Sequence, residues 1–83
     1  MTIYQVEVSG IYNGEENCDT FFFDTLEKAQ SAFNALKSDM ISDYKVSNKD
    51  FEIIDEPGGR YYEATALHNE TQVYLAIYER DLL

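Results

Sequence analysis

The sequence predicts an α+β fold: an antiparallel sheet of about five strands with one helix packed on one face, in the order ββαβββ. Three observations predict it. An alternating segment leads into an Asn13-Gly14 pair, a single helical stripe of apolar residues follows, and three more alternating segments are separated by turn residues. With 83 residues, the chain has room for one acidic domain, spanning residues 1–83.

The first two strands are predicted to form a hairpin. Ile3 to Tyr12 alternates between apolar and polar side chains, as a half-buried strand does. Asn13-Gly14 favours a type I′ turn, because both central residues of that turn need a positive φ. A two-residue turn fixes the register of the strands that it joins. The expected cross-strand pairs are Tyr12 with Glu15, Val6 with Phe21 and Tyr4 with Phe23, while Phe22 and Gln5 share the opposite face.

A helix is predicted after the hairpin, from Thr25 to about Asp39 or Met40. Asp24 is the expected N-cap, and Glu27 three residues later completes a capping box. Apolar residues at spacings of three and four form one stripe, which consists of Leu26, Ala29, Phe33, Leu36 and Met40. We expect this stripe to lie on the sheet face that carries Tyr4, Val6, Phe21 and Phe23.

Three strands are predicted after a polar loop over residues 41–48. The third strand is Phe51 to Asp55, the fourth Arg60 to Leu67 and the fifth Thr71 to Arg80. Pro57-Gly58-Gly59 and His68-Asn69-Glu70 form the turns between them. In the fifth strand, alternation places Val73, Leu75 and Ile77 on one face and Tyr74, Ala76 and Tyr78 on the other.

The charge is strongly negative: sixteen acidic residues against six basic ones give a formal net charge of −10. Residues 1–24 hold five acids and no base, residues 39–59 hold six acids and two lysines, and the helix body between them is nearly neutral. Such a field repels nucleic acid and anionic membranes, and it favours a basic protein surface or a cation. Solubility alone needs a net charge of only about 2–8 in a small domain.

No motif indicates catalysis or a cofactor. The only thiol, Cys18, and the only imidazole, His68, fall in different elements, and an internal disulfide is impossible. Oxygen ligands for a hard cation such as calcium cluster twice, but neither cluster has EF-hand spacing, and solvated carboxylates are the alternative explanation. We therefore expect no enzyme and no metal site, and a cytoplasmic location because no signal-peptide pattern precedes the first strand. The two clusters are Asn13, Glu15, Glu16, Asn17 and Asp19, and Asp50, Glu52, Asp55 and Glu56.

The aromatic residues fall into two groups. We expect Tyr4, Phe21, Phe23, Phe33 and Phe51 in the core. Phe22, Tyr74 and Tyr78, with either Tyr61 or Tyr62, are expected on the sheet face opposite the helix. Because aromatic residues are enriched at interface centres, that face is a candidate contact surface.

These patterns predict a non-enzymatic acidic binding protein that presents carboxylates to a basic surface, and in its sharpest form a nucleic-acid mimic. In size and charge the chain resembles the small inhibitors that phages and mobile elements direct at host nucleases, restriction enzymes, CRISPR effectors or uracil-DNA glycosylase. The alternative is a structural or accessory domain that homodimerises, with acidity serving solubility only. The predicted partner-binding residues are Glu15, Glu16, Asp19, Asp50, Glu52, Asp55, Glu56, Phe22, Tyr74 and Tyr78.

Overall fold

The computed structural model describes residues 1–82, which form one antiparallel five-stranded sheet and one helix. Along the chain the order is ββαβββ, which confirms the predicted fold class. The sheet order is β2-β1-β5-β4-β3, so β2 and β3 are its two edges. The elements are β1 (Thr2–Tyr12), β2 (Glu15–Phe23), α1 (Leu26–Asp43), β3 (Phe51–Asp55), β4 (Tyr61–Ala66) and β5 (Gln72–Asp81).

The β1–β2 hairpin has the predicted turn and register. Asn13 and Gly14 adopt φ values of 50° and 89°, as a type I′ turn requires. The pairs run without interruption from Tyr12–Glu15 to Tyr4–Phe23, and they include Val6–Phe21 and Gln5–Phe22. β1 also pairs with β5 along its other side, which places these two long strands at the centre of the sheet.

Helix α1 begins one residue later than predicted and ends later. Thr25, with an extended backbone, is the N-cap, and its Oγ1 accepts a hydrogen bond from the Lys28 amide at 3.2 Å. The predicted Asp24 cap with Glu27 is therefore wrong, because the Asp24 carboxylate instead binds the Lys28 ammonium group at 2.9 Å. The helix continues to Asp43 because Ile41, assigned to the loop by sequence, packs against the core.

The core lies between α1 and one face of the sheet. Ala29, Phe33 and Met40 of the predicted helical stripe are buried, and they meet Val6 of β1 and Leu75 of β5. Leu26 and Leu36 complete the stripe as partly buried neighbours of that cluster.

Phe21 is a correction to the predicted core. It lies on the helix side of β2 but is 41% exposed, because α1 packs more extensively on the central strands β1 and β5 than on β2. Phe51, on the other edge, is buried as predicted. Tyr62 joins it in the core, so Tyr61 is the tyrosine of that pair that faces away from the helix.

A glycine–tyrosine contact joins the end of α1 to the hairpin. Gly10 is buried beneath Tyr44, the residue that caps the helix, and a Cβ atom at Gly10 would lie 2.6 Å from the Tyr44 Cζ atom. Real Cβ atoms do not approach other atoms so closely. The Tyr44 ring also makes an edge contact with Tyr12, with centroids 6.1 Å apart. A side chain at position 10 would therefore displace the Tyr44 ring.

Candidate functional site

The candidate site is the sheet face opposite α1, here called the open face. No element within residues 1–82 covers it. Its centre is Ala76, which is nonetheless only 2% exposed. Strand alternation brings the side chains of Tyr74 and Tyr78 to the same face of β5, and pairing places Tyr61 of β4 directly opposite Ala76. We call Tyr61, Tyr74 and Tyr78 the tyrosine cluster.

The tyrosine cluster is held together by contacts between its members. The Tyr61 and Tyr74 rings meet edge to face, with centroids 5.6 Å apart and planes at 86°. The hydroxyl groups of Tyr74 and Tyr78 share a hydrogen bond. Phe22, 60% exposed, lies on the same face of β2, where Gln5 separates it from Tyr78. The structure thus places Phe22, Tyr74 and Tyr78 on one face, as the alternation predicts.

Strands β1, β2, β3 and β4 each contribute one glutamate to the open face. The cross-strand pairs connect Glu16 at one edge to Glu52 at the other through a single row of residues that crosses all five strands. The four residues are Glu7 on β1, Glu16 on β2, Glu52 on β3 and Glu63 on β4.

Two of these glutamates are fixed by neighbouring side chains. The Glu63 carboxylate accepts hydrogen bonds from the Tyr61 hydroxyl at 2.6 Å and from the Gln72 amide at 3.2 Å. On the other side of the cluster, Glu7 accepts a hydrogen bond from Gln5 at 2.7 Å. These glutamates are therefore held in place next to the rings.

Hydrogen bonds to Glu63 and within the tyrosine cluster favour the neutral form of the Tyr61 and Tyr74 phenol groups. The hydrogen bond to Glu63, aided by burial and by the charge of that carboxylate, raises the pKa of Tyr61 to about 12. Burial, followed by the hydrogen bond to Tyr78, raises the pKa of the Tyr74 hydroxyl well above its ordinary value. At physiological pH the Tyr61 and Tyr74 hydroxyl groups are therefore uncharged.

The open face carries one cation, Arg80, among the residues that the structure describes. It lies at one end of the face, and its Nε donates to the Gln5 side-chain oxygen at 2.5 Å. Within residues 1–82, ion pairs form only between Lys28 and Asp24 and between Lys37 and Asp55, and neither pair involves an open-face glutamate. The face is consequently acidic.

The two predicted acidic groups lie at opposite edges of the sheet. Glu15, Glu16 and Asp19 belong to β2, whereas Asp50, Glu52, Asp55 and Glu56 lie on or beside β3. Four strand spacings separate the edges, roughly 19 Å. Alternation divides each group further: Glu16 and Glu52 reach the open face, and Glu56 lies opposite Tyr61, where its charge contributes to the raised pKa of that tyrosine.

The remaining members of the two groups have other surroundings. Glu15 and Asp19 point to the helix side of β2. Asp55 binds Lys37 at 2.7 Å, and Asp50 accepts a hydrogen bond from the Ser47 hydroxyl at 3.4 Å. The predicted residues thus do not form one continuous acidic patch.

Sequence reasoning missed Glu7 and Glu63 as members of the site, and it left the choice between Tyr61 and Tyr62 open. Glu7 was detectable, because it shares its face with Gln5 and hence with Phe22 in the predicted register. Glu63 and Tyr61 depend on which face of β4 meets the helix. Two adjacent tyrosines leave that choice open in the sequence.

The thiol and the imidazole of the chain lie in different elements. Cys18 is exposed on β2 and its Sγ donates to Glu16 at 3.2 Å, whereas His68 lies in the β4–β5 turn. Within residues 1–82, no three His, Cys, Asp or Glu side chains converge as metal ligands would. In the same range, no helix combines the length and apolar character needed to cross a membrane.

Comparison with known proteins adds no identification: no protein-family model matches the chain, and no curated protein or solved structure matches it.

Proposed function

We propose that this chain is a non-enzymatic acidic binding protein that inhibits another protein by occupying its basic, nucleic-acid-binding surface. The observation that carries this proposal is the open face. There, a preformed tyrosine cluster lies among four glutamates, one each from β1, β2, β3 and β4. The contact is made by the open face.

Charge supports a basic partner. The net charge is −10, and the open-face glutamates have no ion-pair partner within residues 1–82. Surfaces of opposite sign accelerate encounter and exclude wrongly charged partners. Sites that bind nucleic acid are rich in Lys and Arg because they neutralise phosphates. An acidic face docked on such a site excludes nucleic acid from it.

The rings supply affinity after encounter. Tyrosines are frequent among the residues that contribute most to binding, and they work best where neighbours exclude water. Here the edge contact between Tyr61 and Tyr74 and the hydrogen bond between Tyr74 and Tyr78 fix the rings before any partner arrives. Less side-chain freedom is then lost on association.

The dimensions of the face are adequate for a specific interface. Five strands span roughly 19 Å, and a ten-residue strand such as β5 is roughly 33 Å long, which gives roughly 600 Å². A standard interface buries about 800 Å² on each partner. Roughly 600 Å² on each partner, about 1,200 Å² in total, is at the lower end of the range for specific interfaces.

The setting that we infer is anti-defence: a small inhibitor of a host nuclease, restriction enzyme or CRISPR effector, carried by a phage or mobile element. The support is the size and acidity of the chain together with the proposed target surface. A homodimeric accessory domain is disfavoured, because two copies joined through the open face would each bring the same four glutamates to the interface.

The experiment has two stages. Tagged protein is used to capture partners from lysate at low and high salt, the retained protein is identified by mass spectrometry, and duplex DNA or RNA is then titrated against the purified complex. We expect one nucleic-acid-processing protein, lost at high salt and displaced by nucleic acid. A captured protein that stays bound at high salt and in the presence of nucleic acid contradicts the proposal. A stable homodimer that captures no partner contradicts it too.

A matched pair of variants locates the contact. Glu16→Lys with Glu52→Lys reverses two open-face charges, and Glu27→Lys with Asp39→Lys makes the same charge change on exposed helix positions. We expect the first double variant to lose about tenfold or more in affinity, about 1.4 kcal/mol. The helix variant should lose less, because it alters long-range steering only. Equal losses would exclude the open face as the contact.

A further inference from the structure

Strand β2 has an unpaired outer edge. It ends the sheet order, and it pairs only with β1, over all nine of its residues. Every residue from Glu15 to Phe22 is exposed, and Phe23 is half-buried. Nothing in residues 1–82 lies alongside the outer edge of this strand.

The hairpin register identifies which backbone groups are free. A two-residue type I′ turn closes on a hydrogen-bonded pair, here Tyr12 and Glu15, and hydrogen-bonded pairs then alternate with non-bonded pairs. Odd-numbered residues of β2 therefore bond to β1. The even-numbered ones direct their N–H and C=O groups outward, and these are Glu16, Cys18, Thr20 and Phe22.

This edge lacks the usual protection against strand addition. Proteins protect edges with charged side chains, especially lysine, or with proline, bulges, short strands or a covering element, and the carboxylates of β2 protect its edge against acidic strands only. β2 contains neither lysine nor proline, its register is unbroken, and it is nine residues long. Four outward donors and four outward acceptors are consequently available to an extended chain.

We propose that the outer edge of β2 binds an extended segment of the partner protein, which is rich in Lys or Arg and adds to the sheet as a sixth strand. Glu15, Glu16 and Asp19 place carboxylates on both faces of this edge, with no base on the strand. Phe21 and Phe22 are both exposed, one on each face, and they accept apolar side chains of the added strand.

A second copy of this chain is the less favourable occupant. Antiparallel pairing of two β2 strands brings their carboxylates together, and each copy carries a net charge of −10. The basic character of the added strand rests on the proposed function, whereas the free edge does not.

The test uses a nine-residue peptide of alternating Lys and Val with blocked ends. Thr20→Pro removes one outward N–H without touching the β1 ladder, since proline is tolerated on the solvent side of an edge strand. Thr20→Val is the matched control, because it keeps the N–H and the strand preference. We expect binding by the wild type and by Thr20→Val, and a loss of about tenfold or more in Thr20→Pro.

Amide hydrogen exchange on the wild type gives a second measurement that does not depend on the folding of Thr20→Pro. Bound peptide should slow exchange at the even-numbered residues of β2 specifically. Equal binding by the two Thr20 variants with no such protection overturns the inference and leaves the charge-based function standing. Failure of the peptide to bind to the wild type also overturns the inference. So does slowed exchange at the even-numbered residues of β2 that depends on protein concentration and not on peptide, because that result would assign the edge to a second copy of the chain.

Discussion

The two edges of this sheet are both acidic, yet they differ in how they are held. β3 is short, Phe51 anchors it in the core, and Asp55 binds Lys37 of α1. β2 is nine residues long, its side chains are exposed up to Phe22, and its carboxylates have no ion-pair partner within residues 1–82. Negative charge therefore has a structural partner at one edge and is free at the other.

This difference teaches that charge density in the sequence does not by itself locate a contact surface. On β3, Asp55 is paired with Lys37, so its removal should affect stability, whereas Glu52 lies on the open face without an ion-pair partner in residues 1–82. The acids of β2 contribute nothing evident to packing, so their removal should affect binding. The asymmetry lies in burial: Phe51 and Tyr62 belong to the core on the β3 side, whereas Phe21 on β2 is exposed.

The largest expected effect is on the anchored edge. Phe51→Ala should lower the free energy of unfolding by about 3–5 kcal/mol, because it leaves a cavity beneath β3. Phe21→Ala makes the same chemical change on the exposed edge and should cost well under half as much. Urea denaturation of both variants provides the comparison. Similar losses would show that β2 contributes as much to stability as β3 does.

The second-largest effect is expected at the contact between Gly10 of the hairpin and Tyr44 at the end of α1. Gly10→Ala forces the Tyr44 ring away from β1 and should cost about 1–3 kcal/mol. Because Gly10 pairs with Asn17, exchange should accelerate at the turn half of β2. The double variant Gly10→Ala with Tyr44→Ala removes the overlap. If the single variant is as stable as the wild type, the two residues are not in contact.

A smaller effect is expected from the ion pair of β3. Both partners are partly exposed, so the coupling between Lys37 and Asp55 should be at most about 1 kcal/mol. A double-mutant cycle with Lys37→Met and Asp55→Asn measures it. The control is Asp19→Asn on β2, which should leave stability unchanged or raise it slightly by reducing repulsion. A loss at Asp19 equal to that at Asp55 would remove the distinction between the edges.

The smallest effect concerns high pH on the β4 side of the open face. The pKa of Tyr61 rises from 10.0 to about 12 on folding, so its stabilising contribution is complete below pH 10 and is lost as pH increases through about 12. Wild-type stability should thus fall relative to Tyr61→Phe across that interval. Phe22, on the β2 side, does not titrate. If stability depends on pH in the same way in the wild type and in Tyr61→Phe, the raised pKa of Tyr61 is contradicted.

The parts of the fold that local sequence determines were predictable. Asn13-Gly14 specifies its turn, and alternation on either side specifies the register, so the hairpin pairs follow without knowledge of other strands. The helical stripe from Leu26 to Met40 was equally clear. Adjacent Asp24 and Thr25 are both good caps, and choosing between them depends on backbone geometry that the sequence does not show.

The parts that depend on distant contacts were not predictable. Alternation indicates which residues share a face but not which strands are neighbours, so the pairing of β1 with β5, and hence the identity of the edges, could not be known. The exposure of Phe21 depends on where α1 crosses the sheet. Single glutamates such as Glu7 and Glu63 look like ordinary solvated positions until the strands are placed side by side around the tyrosine cluster.

The contact between Gly10 and Tyr44 has a consequence for how this chain evolves. Any larger side chain at position 10 requires that the ring at position 44 be lost or moved, whereas loss of the ring relaxes the demand for glycine. Among descendants of this sequence, the two positions should therefore change together. Substitutions at Phe22 and along the outer edge of β2 carry no such internal constraint, so they are free to change with the proposed partner.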